Sequence, residues 1–322
     1  MILIEFDLAG AEWVVVAYLS GDKNMIGVVE SGKSPHVATA SFISSVPEEL
    51  VLADHKLLGN NTNATDILAL RIEHLPELID LQERDAIFLP RSMSLRQMGK
   101  KSNHGLNYNM KFRRAALEWE IQESEAQPIV AYYSDVAYPG LKNWWNDTKA
   151  QIRKNRTLTN CFGRKVRLLG EVGNDLFDQA YSFVPQSTVV DICLEAMCLA
   201  FEDPDIEQAQ WHLGAQVHDS LMIQMPTHDW NVVEHVCKKI IQYMSPTLEY
   251  NGYKFILGVD MKVGLNWGDM RSTQGPGQIR EVYEALVVEA AQQPVVEAVS
   301  AGPAIVQTLD HLAQAIPQSQ SS

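Results

Sequence analysis

The segment Ile2 to Phe6 is a short apolar run that ends at Asp7, the pattern of a buried strand. Ala11 to Leu19 reads as an apolar helix closed by Ser20-Gly21-Asp22, and mixed helical patterns fill 35–46 and 63–85 on either side of Gly59-Asn60-Asn61. Leu89 to Asn109 is a candidate helix, with Pro90 and either Ser92 or Ser94 placed to start it. Asp135 to Asn155 is helical beyond the Tyr138-Pro139-Gly140 turn. Thr157–Asn160 and Lys165–Leu169, joined by Cys161-Phe162-Gly163-Arg164, predict a hairpin. A long helix from Asp175 to Phe201 is interrupted only by Pro185. Ala215–His218 and Leu221–Met225 flank Asp219 in a second hairpin, followed by an amphipathic helix from Asp229 to Met244 and a final strand from Phe255 to Val263. From Arg271 the composition shifts, and the helix-like stretch Gln278–Gln292 leads into a Pro-, Gln- and Ser-containing end that reads as a mobile tail. Strands separated by long helical insertions predict an α+β arrangement with a helical subdomain inserted between the first and last strands.

Composition narrows the function classes. There is no run of 18 apolar residues, so no membrane span is expected, and the acidic residue at position 5 argues against a signal peptide. The four cysteines show no C-x-x-C spacing, which points to reduced thiols, a cytoplasmic protein and no structural zinc. The net charge of −14 weighs against nucleic-acid binding, yet the basic residues are not spread evenly. Between Arg91 and Arg114, and again between Lys149 and Arg167, the chain has Lys and Arg and no acid. Two basic islands in an acidic chain suggest a local anion site, although solvated helix faces would give the same pattern.

Asp7 and Asp219 each lie at the end of an apolar strand, a costly place for an unpaired carboxylate. A shared divalent metal relieves that cost, and paired carboxylates holding two Mg²⁺ ions are the working parts of two-metal phosphoryl transfer. Turn formation or capping would explain the same residues. Arg96, Lys100, His104 and Tyr108 recur every four residues, on one slowly drifting helical stripe. Two cations followed by two flat rings suit a triphosphate and then a base or sugar. Gly99 and Gly105 permit close approach of a ligand or a neighbouring helix.

From Met1 to about Met270 these stretches resemble the polymerase core of family A (DNA polymerase I-like) DNA polymerases. FDLAGAEWVVVAYLSGD resembles motif A, with a metal aspartate at Asp7 and the family's glutamate at Glu12. GKSPHVATA resembles the stretch whose histidine contacts the incoming triphosphate, here His36. RQMGKKSNHGLNYN resembles motif B through Arg96, Lys100, His104 and Tyr108. TLTNCFGRKVRLLG is similar to the family's Thr-x-x-Gly-Arg segment, with Arg164, and VPQSTVVDI to the helix that places a glutamine, Gln186, in the duplex minor groove. AQVHDSLMIQMP is similar to motif C, with His218 and the second metal aspartate, Asp219; VDMKVGLNWGDM resembles the closing strand.

The resemblance implies an antiparallel palm sheet with flanking helices and an inserted fingers subdomain: palm over 1–34, fingers over 35–134, palm again over 135–270, and a C-terminal helix with a mobile tail over 271–322. It implies a DNA-directed DNA polymerase using two Mg²⁺ ions, with Asp7 and Asp219 catalytic and Asp7, Leu8 and Asp219 as metal ligands. Glu12, His36, Arg96, Lys100, His104 and Tyr108 would bind deoxyribonucleoside triphosphate; Arg164, Gln186 and His218 would bind the primer-template. Departures stand at His104, where the family has Phe or Tyr, at Asn109 for Gly, at Ser182 for Asn, and at Ser220 for the glutamate after the second aspartate. Family members place a thumb ahead of motif A, whereas this chain begins six residues before Asp7. The expectation is the C-terminal piece of a split polymerase, completed by a second polypeptide with the thumb and an exonuclease, its opening strand leaving an apolar edge or face uncovered. The alternative is a weak or inactive polymerase-derived module that binds DNA or a replication partner.

Overall fold

In the computed structural model the described residues are 1–59, 63–85, 87–227 and 229–292. The chain runs β1 (Ile2–Leu8), α1 (Ala11–Ser20), α2 (Lys23–Glu30), α3 (Pro35–Ser44), α4 (Glu48–Leu58), α5 (Ala64–His74), α6 (Pro76–Asp85), α7 (Leu95–Leu106), α8 (Phe112–Trp119) and α9 (Glu123–Tyr132). It continues with α10 (Gly140–Asn155), β2 (Thr157–Thr159), β3 (Lys165–Arg167), α11 (Asn174–Glu202), α12 (Pro204–Glu207), β4 (His212–Val217), β5 (Ser220–Met225) and α13 (Trp230–Tyr243). Last come β6 (Leu248–Tyr250), β7 (Tyr253–Phe255), β8 (Val259–Gly264), β9 (Arg271–Thr273) and α14 (Ile279–Gln292). The fold is α+β, mostly helical, around an antiparallel five-stranded sheet in the order β4-β5-β1-β8-β9.

β1 alternates strictly. Ile2, Ile4, Phe6 and Leu8 point into the core, while Leu3, Glu5 and Asp7 stay half-buried on the other face. It pairs with β5 on one side and β8 on the other, so the expected uncovered edge is not there; among the described residues the sheet ends at β4 and β9. Two-sided pairing, which a single strand's sequence does not reveal, braces it.

α11 corrects a second expectation. It runs unbroken through Pro185, which costs one helical hydrogen bond but lies buried in a helix packed on α1, α10 and α13. By length and composition α11 could cross a membrane, but half of its apolar window is buried inside this fold, as in a core helix. Among the helices that escaped the sequence pattern are α2, capped by Asp22, and α4, α8, α9 and α12. α7 starts at Leu95 and not Leu89, because the Ser94 hydroxyl caps Gln97 N–H at 3.3 Å and Asp54 accepts Leu95 N–H at 2.7 Å. The final strand likewise starts at Val259; Phe255 belongs to the separate β6–β7 hairpin.

Beyond Arg271 the chain stays attached, through β9 against β8 and through Ile279 and Leu286 of α14, both buried. The expected mobile tail after Gln292 lies outside the described residues.

Candidate active site

A cleft of about 1390 Å³ lies over the half-buried face of β1, walled by α1, α3, α7 and α11. Asp7, Leu8, Glu12, His36, Arg96, Lys100, His104, Tyr108, Gln186, His218 and Asp219 all line it. Arg164 does not; it makes a bidentate pair with Asp191 of α11, the Nε contacts at 2.8 and 2.9 Å, and keeps about half of its side chain exposed.

Strand register brings the carboxylates together. Asp7 faces Ser220 on β5 and Asp260 on β8, and Leu8 N–H donates to the Asp219 carbonyl at 3.1 Å. Asp219 occupies the tight turn between β4 and β5 beside His218, whose φ of 53° puts it in the left-handed region. Burial, then the charge of Asp219, raise Asp7 to about 6, against the pull of Lys262. Lys262 itself is paired with Glu5 at 2.7 Å. Neither aspartate receives a side-chain hydrogen bond or ion pair among the described residues, so the partly buried like-charge pair is offset only by the more distant charge of Lys262. A divalent ion fits that pair. Among the described residues no group of three or more His, Cys, Asp or Glu side chains could enclose a metal, so an ion held by the pair would complete its shell with water or phosphate oxygens, as Mg²⁺ does.

The basic wall comes from α7. Gly99 makes it possible: a Cβ there would sit 2.1 Å from the His36 carbonyl oxygen of α3, so only glycine lets the two helices meet this closely. Arg96, Lys100 and His104 share the helical stripe, while Tyr108 follows the helix end in a turn. The Tyr108 hydroxyl donates to Glu12 Oε2 at 2.5 Å, joining two residues that the sequence places far apart. Burial and the Glu12 charge keep that phenol protonated, far above its usual range. Asn109 has φ 65°, a conformation that asparagine tolerates better than most residues, so it carries little strain there.

His36 is held as a neutral donor. Asn103 Nδ2 donates to its Nδ1 at 3.1 Å and to the Pro35 carbonyl at 3.2 Å, while Asn103 Oδ1 accepts from Thr39 and Tyr133 at 2.7 and 3.1 Å. A flipped amide would set two oxygens against each other at Pro35, so the His36 proton must sit on Nε2. Burial first, then Arg96, His104 and Lys100, push its pKa down to about 3. Asn103 and Asp260 were not legible as site residues. Asn103 sits on the buried side of α7, and Asp260 acquires meaning only from its register opposite Asp7.

Residues 90–269 match the sequence profile of DNA polymerase family A. The chain is 24% identical over 275 residues to the thermostable DNA polymerase I of Thermus aquaticus, covering 83% of this chain and 27% of that protein. It is 23% identical over 276 residues to DNA polymerase I of Borreliella burgdorferi, covering 84% of this chain and 25% of that one. The chain thus spans about a quarter of the length of these relatives. Among solved structures it is similar in fold to the POL domain of Pol1 from M. smegmatis, in complex with DNA primer-template and dNTP, with a TM-score of 0.61 at 21% identity over 83% of this chain and 40% of that one.

Proposed function

Because the chain belongs to DNA polymerase family A, we propose that it is the catalytic core of a DNA-directed DNA polymerase, extending a primer 3′ end with deoxyribonucleotides. The observation that carries this reading is the convergence of Asp7 and Asp219 with His36, Arg96 and Lys100 in one cleft. Residues 1–34 and 135–270 then act as palm, 35–134 as fingers, and 271–292 as a docked C-terminal helix.

Asp7 and Asp219, with the backbone of Leu8, would hold Mg²⁺. The chemistry the ion supplies at such a pair is to acidify an attacking hydroxyl and to offset charge on the leaving oxygens. Arg96 offers a forked donor and Lys100 a compact charge to the triphosphate, while His36 adds a neutral Nε2–H that needs no proton exchange near neutral pH. The His104 ring and Tyr108 border the nascent base pair. Gln186 and His218 face the duplex end of the cleft, and Arg164, fixed by Asp191, offers its exposed side to the DNA backbone. With a net charge of −14, the chain calls for a further DNA-gripping unit. A second polypeptide carrying a thumb, with or without an exonuclease, would supply it.

Glu12, braced by Tyr108, lies where it would crowd a ribose 2′-hydroxyl. Glu12→Ala is expected to raise ribonucleotide incorporation at least about tenfold, ~1.4 kcal/mol of discrimination, in single-nucleotide insertion assays. Unchanged sugar discrimination would assign the gate to another residue. The activity itself is tested by primer extension on a defined template with Mg²⁺ and dNTPs, at low salt and with a thumb-bearing partner added. Templated, Mg²⁺-dependent addition is expected. DNA binding without any addition under both conditions would favour the non-catalytic, DNA-binding alternative.

A further inference from the structure

The α4–α5 unit reaches into the entry of α7 at two levels. Arg71 of α5 and Asp54 of α4 form a buried pair at 2.7 and 3.1 Å. Arg71 also donates to the carbonyls of Pro90 and Met93 at 2.5 and 3.1 Å, and Asp54 accepts Leu95 N–H. The last stretch before α7 is therefore anchored on both sides. One residue further along α4, His55 stands between Ser94 and Arg96: its Nδ1 is 3.0 Å from Ser94 Oγ and its Nε2 is 3.4 Å from Arg96 Nη1.

Donor chemistry settles which way these bonds run. A guanidinium can only donate, so His55 Nε2 must accept and its proton must sit on Nδ1, donating to Ser94 Oγ. Ser94 Oγ uses its second lone pair for Gln97 N–H at 3.3 Å. The ring thus links the helix cap to the first cation of the cleft. An arginine side chain has many rotamers, and fixing one of them ahead of ligand binding removes part of the ordering cost from the binding step. We propose that His55 is a positioning residue that aims the Arg96 guanidinium into the cleft, where it meets the phosphates of an incoming nucleoside triphosphate. This rests on the reading of Arg96 as a triphosphate ligand. Burial and Arg96 hold the imidazole below its usual pKa, outweighing Asp54, so the accepting nitrogen is available at neutral pH.

The test uses the full chain with Mg²⁺-dATP, measuring binding by titration calorimetry and KM and kcat by primer extension. His55→Leu is expected to weaken binding and raise KM about three- to tenfold, the span of one hydrogen bond, with kcat within about twofold. His55→Gln, whose Oε1 can accept from Arg96, is expected to recover most of the loss, which a purely structural role for the ring would not allow. In the unaltered protein, ¹⁵N spectra of His55 are expected to show the Nδ1–H tautomer, a result independent of activity and of the folding of any variant. His55→Leu with unaltered binding and KM beside a weakened Arg96→Ala, or an Nε2–H tautomer, would overturn the proposal. Arg96→Ala with unaltered binding and KM would instead remove the triphosphate reading of Arg96, and the proposal with it.

Discussion

Asp7→Ala and Asp219→Ala are each expected to reduce Mg²⁺-dependent nucleotide addition by more than about 10³-fold, ~4 kcal/mol, while the protein stays folded. The two carboxylates face a cleft and not the core, so neither is needed for packing. Asp7 is in fact a burden on the metal-free fold, because its pKa rises from 3.8 to about 6. Between those values the folded state keeps a proton that the unfolded chain has released, so stability falls as pH rises through that window and stays lowered above it. Asp7→Asn should therefore melt at a higher temperature than the unaltered chain at pH 7 in chelator, with the difference vanishing below about pH 4. Added Mg²⁺ should narrow the difference by stabilising only the protein that binds it. Activity within tenfold of the parent in either alanine variant would sink the metal assignment.

The largest expected loss of stability comes from Arg71→Leu. Asp54 and Arg71 are 0% and 3% exposed, and truncating one partner leaves the other as an uncompensated buried charge, at about 3–5 kcal/mol. The Pro90 and Met93 carbonyls lose their donor as well. Urea denaturation would measure the loss, and the Asp54→Leu/Arg71→Leu double variant should recover part of it, because no lone charge remains. A loss below about 1 kcal/mol in Arg71→Leu would mean that the pair is not buried in solution.

Local pattern carried much of this architecture. The apolar run from Ile2 to Phe6, the cation stripe on α7 and the hairpin around Asp219 were legible because each is written within a few neighbouring residues. What escaped depends on pairing. Asp54 and Arg71 are ordinary helix residues until α4 and α5 meet the entry to α7, and they, not the nearby Pro90, decide where that helix begins. Asp260 and Lys262 look like the polar half of a strand, and only their registers opposite Asp7 and Glu5 make them part of the cleft electrostatics. Pro185 misled because breaker residues act through local hydrogen bonding, whereas α11 is held on several sides by tertiary contacts.

The central place of β1 also governs when the site can come into being. The strand that carries Asp7 precedes both of its partners, and β5 and β8 follow only after the whole helical lobe. Helices α3 to α9 depend on near neighbours and can close early, but the sheet needs the least local contacts in the chain, which form slowly. On a ribosome, Asp7 has to wait unpaired until Ser220–Met225 has emerged, and its strand is flanked on both sides only once Val259–Gly264 follows. A growing chain therefore cannot bring Asp7 and Asp219 together before the helical lobe is made, and the apolar β1 is the segment a holding chaperone would most need to shield.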